Sequence, residues 1–223
     1  MTNLNAMKRT ILCTYLCVLS IITFARNDSP LRPEKIIEAP AIDGVLDEAV
    51  WANAPRVTGF KTFSPDFGKD MSQKTNVFML YDEENLYFAF DCKDDEPDKI
   101  KASVNSRDNI TADDWICINL DSYNDHQSLY AFYANPHGIQ MDSRFSSGQE
   151  DASVDFVWYS AGLLNDDGYR VEIQIPLKSI RYTTKEPVEM SVFFERMISR
   201  ENVHGSYPAM DPSRGMAFLT QMK

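Results

Sequence analysis

The stretch Ala41-Ile42-Asp43-Gly44-Val45-Leu46-Asp47-Glu48-Ala49-Val50-Trp51 decides how this chain is read. Two apolar-then-acidic turns, Ile-Asp-Gly and Leu-Asp-Glu, are closed by a tryptophan. Gly44 gives the backbone a turn that other residues resist, and the aspartate side chains can bond nearby amides. Trp51 reads as a core plug, because an indole is large enough to organise a small core. The motif therefore marks the opening of a folded domain.

Upstream of it, residues 1–25 read as a signal peptide. Lys8 and Arg9 supply the basic start, and Ile11 to Ile22 the apolar run. That run is shorter than the ~20 apolar residues a bilayer span needs. An uncleaved anchor is the alternative. Neither Cys13 nor Cys17 sits in a lipoprotein-type cleavage motif. Residues 26–40, with Pro30, Pro33 and Pro40, form an extended arm. Residues 41–223 then make one domain, whose 43% hydrophobic content suffices for a core. No later segment is long and apolar enough for a membrane-spanning helix.

The net charge is −11, and losing Lys8 and Arg9 with the leader makes it −13. Such a chain is repelled by nucleic acid and anionic membranes, both of which reward positive charge. It suits neutral ligands or divalent cations.

Past the motif the signals are those of strands. Val77–Tyr81 and Leu86–Cys92 flank the turn Asp82-Glu83-Glu84-Asn85 and read as a hairpin. Trp115–Asp121 alternates, with Ile116, Ile118 and Leu120 on one face and Trp115, Cys117 and Asn119 on the other. Further strands are expected at 129–135, 139–142, 156–161, 169–175 and 188–197, and a last one at 216–221. In 169–175, Val171, Ile173 and Ile175 point inward and Arg170, Glu172 and Gln174 outward. Leu177–Ile180 and Pro97–Ala102 read as brief helical turns. Short strands separated by Asp/Asn/Gly/Pro turns indicate an all-β, antiparallel β-sandwich of jelly-roll-like type.

Four segments, in order, carry a family resemblance: Ile42-Asp43-Gly44 through Trp51; Tyr81-Asp82-Glu83-Glu84-Asn85-Leu86-Tyr87 to Asp94; Asp113 to Asp121; and Tyr169 to Ile180. Together they resemble the family 9 carbohydrate-binding modules, over roughly residues 36–222. Cys92 to Ile100, Arg107-Asp108, Asn135 to Asp142 and Ile175 to Arg181 look like the domain preceding an outer-membrane β-barrel in a group of Bacteroidetes proteins. The chain is either a stand-alone module or a truncated relative.

The resemblance implies a sugar site built from two tryptophans with Glu, Arg and amide side chains. The first tryptophan aligns near Thr111 and the glutamate on Cys117, both losses. The arginine aligns near Tyr133, the amide near Glu195 or Arg196, and the second tryptophan near Tyr207. With Trp115 on the Cys117 face, the candidate carbohydrate-binding residues are Trp115, Tyr133, Glu195, Arg196 and Tyr207. The alternative is that Trp115 packs on a neighbouring strand and Arg196 pairs with Glu172 or Glu195 on a solvated face. Trp158 reads as core.

Other chemistry is thinner. Asp91, Asp94 and Asp95 form an acidic strand end that can offer oxygen ligands to a structural calcium ion. His126, His137 and His204 lack zinc spacing. Met210 with His137 is the one pairing that evokes a haem-binding sandwich domain. No carboxylate pair or nucleophile motif assigns catalytic roles, so the chain is read as no enzyme. Cys92 and Cys117 are expected in neighbouring strands of one sheet, where a disulfide is geometrically allowed. The expected function is non-catalytic glycan binding by a secreted or periplasmic module. The alternative is a cell-envelope interaction module that docks on an outer-membrane or surface protein.

Overall fold

The computed structural model describes residues 29–223, so the leader read over 1–25 lies outside the described residues. The chain runs through β1 (Glu34–Lys35), the one-turn helix α1 (Ala49–Asn53), β2 (Arg56–Val57), β3 (Lys61–Ser64), β4 (Thr75–Tyr81) and β5 (Asn85–Lys93). It continues with β6 (Trp115–Asp121), β7 (Ser128–Ala134), β8 (Gln140–Ser146), β9 (Gln149–Asp151) and β10 (Tyr159–Asn165). The last strands are β11 (Gly168–Pro176), β12 (Ser191–Ile198) and β13 (Val203–Tyr207). One sheet has the order β1-β4-β5-β11-β10, with β2 also on β4; the other has the order β3-β13-β12-β6-β7-β8-β9. All pairings but β1 with β4 are antiparallel. The expected all-β sandwich is the fold.

Alternation builds its core. Val77 and Met79 of β4, Phe88, Phe90 and Cys92 of β5, and Val171, Ile173 and Ile175 of β11 meet Ile116, Ile118, Phe132 and Phe194 of the facing sheet. Trp158 belongs to this core, as the sequence indicated.

Each sheet also has an outer face. That of the six-stranded sheet is closed by the opening motif: Trp51 is 2% exposed and packs with Ile36, Leu80, Tyr87 and Ala89. Glu172 points outward from β11, as its alternation demands, yet it is fully buried. The Trp51 indole donates to its Oε1 at 2.8 Å, and Gly44 N and Asp43 N donate to its Oε2 at 2.8 and 3.0 Å. The motif is thus a lid that supplies three donors to one carboxylate. Gly44 sits at φ +87°, and a Cβ there would stand 3.0 Å from Gly162 and Leu163 backbone atoms, so only glycine fits.

Three sequence expectations shift. Residues 216–221 form no strand; Pro212–Gln221 is a 3-10 segment broken at Gly215 (φ 53°). Proline cannot donate to a ladder, and a three-residue period brings Leu219 and Met222 together onto the sheet. The strand expected at 156–161 begins at Tyr159. Five strands were not foreseen, β1, β2, β3, β9 and β13. Gly205 interrupts the apolar pattern of β13, and a Cβ there would meet the Met71 Sδ at 2.2 Å.

The two cysteines do not share a sheet. Cys92 lies in β5 and Cys117 in β6, which belong to different sheets. The loop after β5 crosses between layers rather than returning alongside. Cys92 faces the intersheet core and Cys117 the outer face beyond it. Both are buried free thiols.

Candidate functional site

The second outer face, that of the seven-stranded sheet, is closed only in part. The C-terminal segment lays Phe218, Leu219 and Met222 over Leu129, Ala131 and Phe193. The other half carries an aromatic and polar cluster. Its members are set by register: Glu195 of β12 opposes Cys117, and Met197 opposes Trp115. Tyr133 of β7 opposes Cys117 from the other side. His204 of β13 opposes Met197. In a strand, directly opposed residues share a face, so these side chains all project outward.

Trp115 is half-buried and braced edge-on between two rings. Tyr133 is centred 5.4 Å away at 77°, and His204 5.2 Å away at 63°. Phe63 backs His204 at 5.0 Å. Beneath them Glu195 is 9% exposed. Asn119 Nδ2 donates to its Oε2 at 2.6 Å. His204 Nε2 lies 2.9 Å from its Oε1, close enough for an ion pair but off the axis of a hydrogen bond. The Tyr133 hydroxyl donates to Glu150 Oε1 at 3.4 Å, and Ser143 donates to the same oxygen at 2.6 Å. Burial, reinforced by the Glu195 charge, pushes the Cys117 thiol well above its usual range. Burial does the same to the Tyr133 phenol, aided by Cys117 and Glu195. Neither group ionises near neutrality, so Cys117 is a small apolar floor and no nucleophile.

Of the five residues expected in the site, the structure brings together Trp115, Tyr133 and Glu195. Arg196 and Tyr207 are not with them. Successive strand residues point to opposite faces, so Arg196 turns inward where Glu195 turns outward. Its guanidinium is fully buried and donates to Lys74 O (3.1 Å), Thr75 Oγ1 (3.1 Å) and Lys93 O (2.9 Å). It also lies 5.4 Å over the Tyr169 ring and 3.7 Å from Asp94. It pairs with neither Glu172 nor Glu195. Tyr207 opposes Phe194 and packs on Phe60 at 6.2 Å, facing the intersheet core. Thr111 stands exposed in the loop before β6.

The acidic strand end does not fit a calcium ion. Asp94 is held bidentate by Arg200, at 2.7 and 2.9 Å. Asp91 faces Lys93 at 2.9 Å and Arg170 at 3.3 Å. Their oxygens already serve cations, and Asp95 is exposed. Among the described residues no three acidic, His or Cys side chains converge as metal ligands. Met210 is fully buried under the C-terminal segment, whereas His137 is exposed in the β7–β8 turn.

Sequence reasoning missed His204, Phe63 and Asn119 as members of the cluster. Asn119 carried a signal, since it shares the Trp115 face of β6. His204 and Phe63 lie on two of the strands that went unread, β13 and β3.

Residues 42–206 match the family described as Carbohydrate family 9 binding domain-like. Among solved structures, a candidate carbohydrate-binding protein from Bacteroides uniformis superposes with a TM-score of 0.62 at 9% identity, over 78% of this chain and 86% of that one. A family 9 carbohydrate-binding module from Caldicellulosiruptor kristjanssonii, in complex with glucose, gives 0.56 at 19% identity, over 85% and 93%. The cellotriose complex of such a module from the same organism gives 0.55 at 20% identity, over 83% and 87%. At these identities the likeness is one of fold. No curated protein matches the chain.

Proposed function

The chain belongs to the Carbohydrate family 9 binding domain-like family, and from that premise we propose that it binds carbohydrate without catalysis. The neighbours in complex with glucose and cellotriose support carbohydrate binding in general. The site we propose is the open half of the outer face of the seven-stranded sheet. The observation that carries it is Trp115, part-exposed and fixed by two edge-on rings on the same sheet face as the Glu195 carboxylate. A fixed aromatic body gives the apolar side of a pyranose its platform. Glu195, His204 and Asn119 supply planar polar groups at its foot, already oriented by one another, so little ordering cost remains on binding. We also propose that the protein works outside the cytoplasm, secreted or periplasmic, on the strength of its N-terminal sequence.

Calorimetric titration against a panel of neutral glycans tests the site. Trp115→Ala is expected to weaken binding roughly tenfold or more, with Tyr207→Ala at wild-type affinity. Equal binding by wild type and Trp115→Ala removes this face from the function.

A second reading, an envelope interaction module, draws on β10. This edge strand exposes Leu163 and Leu164, 45% and 37%. A stoichiometric protein partner captured from envelope extract, lost in Leu163→Asp and unaffected by glycans, would favour it.

A further inference from the structure

We propose that a second, separate carbohydrate site lies beyond the opposite end of β6 from Trp115, and that it takes a neutral oligosaccharide. β6 alone separates the two places by roughly 20 Å. The cavity there holds about 840 Å³. That volume lies within the approximate 300–1,000 Å³ range of small-molecule sites.

Its walls are three tyrosines, Tyr123 after β6, Tyr159 on β10 and Tyr182. Tyr123 and Tyr159 are 44% and 52% exposed. Gln174 stands directly opposite Tyr159 on β11, so amide and ring share a face. Glu84, Lys178 and Arg181 complete the rim. The side chains of these seven residues make no hydrogen bond or ion pair among the described residues. The contrast with the Trp115 face is direct, because there Glu195, Asn119 and Tyr133 already bond to one another or to neighbours.

The rim is nonetheless fixed. Leu177 N donates to Glu84 O at 2.7 Å and Arg181 N to the Tyr130 hydroxyl at 3.1 Å. Ser179 Oγ donates to Val157 O at 2.5 Å, and Ser122 Oγ to Arg181 O at 2.5 Å. The segment is thus pinned to both sheets, and its side chains remain available around a preformed hollow. Preorganisation of this kind lowers the ordering cost of binding.

Charge selects the ligand class. Glu83 is taken up by Lys35, which leaves Glu84 beside Lys178 and Arg181 around the cavity. The whole chain carries −11, which disfavours an anion. Flat aromatic faces with amide, carboxylate and guanidinium groups suit a ligand rich in hydroxyls and free of charge.

The test uses the full chain titrated with neutral gluco-, xylo- and manno-oligosaccharides and with an oligogalacturonide, in wild type, Tyr123→Ala, Tyr159→Ala and Trp115→Ala. Thermal unfolding is measured in parallel; both tyrosines are surface residues, and their variants are expected to melt with wild type. The expected result is two separable binding events: one for a neutral oligosaccharide whose affinity falls roughly tenfold in each tyrosine variant and is unchanged in Trp115→Ala, and one that weakens in Trp115→Ala and is unchanged in the tyrosine variants. Loss in Trp115→Ala alone overturns this site and leaves the first proposal standing. A tyrosine-sensitive event with no Trp115-sensitive event beside it overturns the first proposal and leaves this site standing. Binding of the oligogalacturonide in place of neutral sugars overturns the ligand class, and no binding by any member overturns both sites.

Discussion

Each outer face of this sandwich presents a tryptophan beside a glutamate, and the two pairs do different work. Trp51 and Glu172 are sealed: the indole is 2% exposed and its N–H is spent on the carboxylate, which receives two further backbone donors. Trp115 and Glu195 remain at the edge of solvent. The indole meets two rings edge-on and packs on the apolar cluster beside them, and the carboxylate is held by Asn119 and His204. The difference lies in what covers them. The opening motif covers its tryptophan and glutamate completely, whereas the C-terminal 3-10 segment leaves Trp115 part-exposed. The same residue pair therefore locks one face and equips the other.

The sharpest test deletes the sealed indole. Trp51→Ala removes a large buried side chain and orphans part of Glu172, so it should cost about 3–5 kcal/mol in urea unfolding. A cost near zero would mean the lid is not integral to the fold.

The carboxylate offers the next effect through pH. Burial pushes the Glu172 carboxyl up to about 7, against the pull of the Gly44, Asp43 and Trp51 donors. A folded-state value above the ordinary 4.5 means that the folded chain holds this proton more tightly than the unfolded one. Its stabilisation is full below about pH 4.5 and is lost as pH rises through 7. Over that window wild type should lose at most about 3 kcal/mol relative to Glu172→Gln, measured as the difference between their unfolding free energies at pH 4.5 and 7.5. Parallel pH profiles would show that Glu172 is ionised throughout.

On the open face the balance reverses. Trp115→Ala should cost less than Trp51→Ala, about 1–2 kcal/mol of stability, because the ring is only part-buried, while binding suffers most. A stability loss matching that of Trp51→Ala would erase the distinction between the pairs. The smallest effect is expected at Tyr207, which the family alignment had suggested for the site. Tyr207→Phe should leave affinity unchanged and stability within about 0.5 kcal/mol, because its ring faces the core and its hydroxyl has no partner among the described residues.

Much of the fold was legible locally. Alternation in Trp115–Asp121 and Tyr169–Ile175 placed the inward and outward residues correctly, since the two-residue period belongs to the backbone itself. That same rule could have excluded Arg196 once Glu195 was chosen, for adjacent strand residues cannot both face one site. β13 was illegible because Gly205 leaves a gap in its apolar pattern, and with it went His204. The site was half visible: Trp115, Tyr133 and Glu195 were named, and they do meet.

The sequence by itself determined the class of fold, the family, the positions of most strands and the role of Trp51 as a plug. These follow from short-range periodicity and turn chemistry, which neighbouring residues carry between them. Only the tertiary structure decided which sheet each strand joined, and so that Cys92 and Cys117 lie in different layers. It also decided that Glu172, outward by pattern, is buried beneath a segment more than a hundred residues away. Burial and pairing across such separations depend on how layers stack, and no local pattern encodes that.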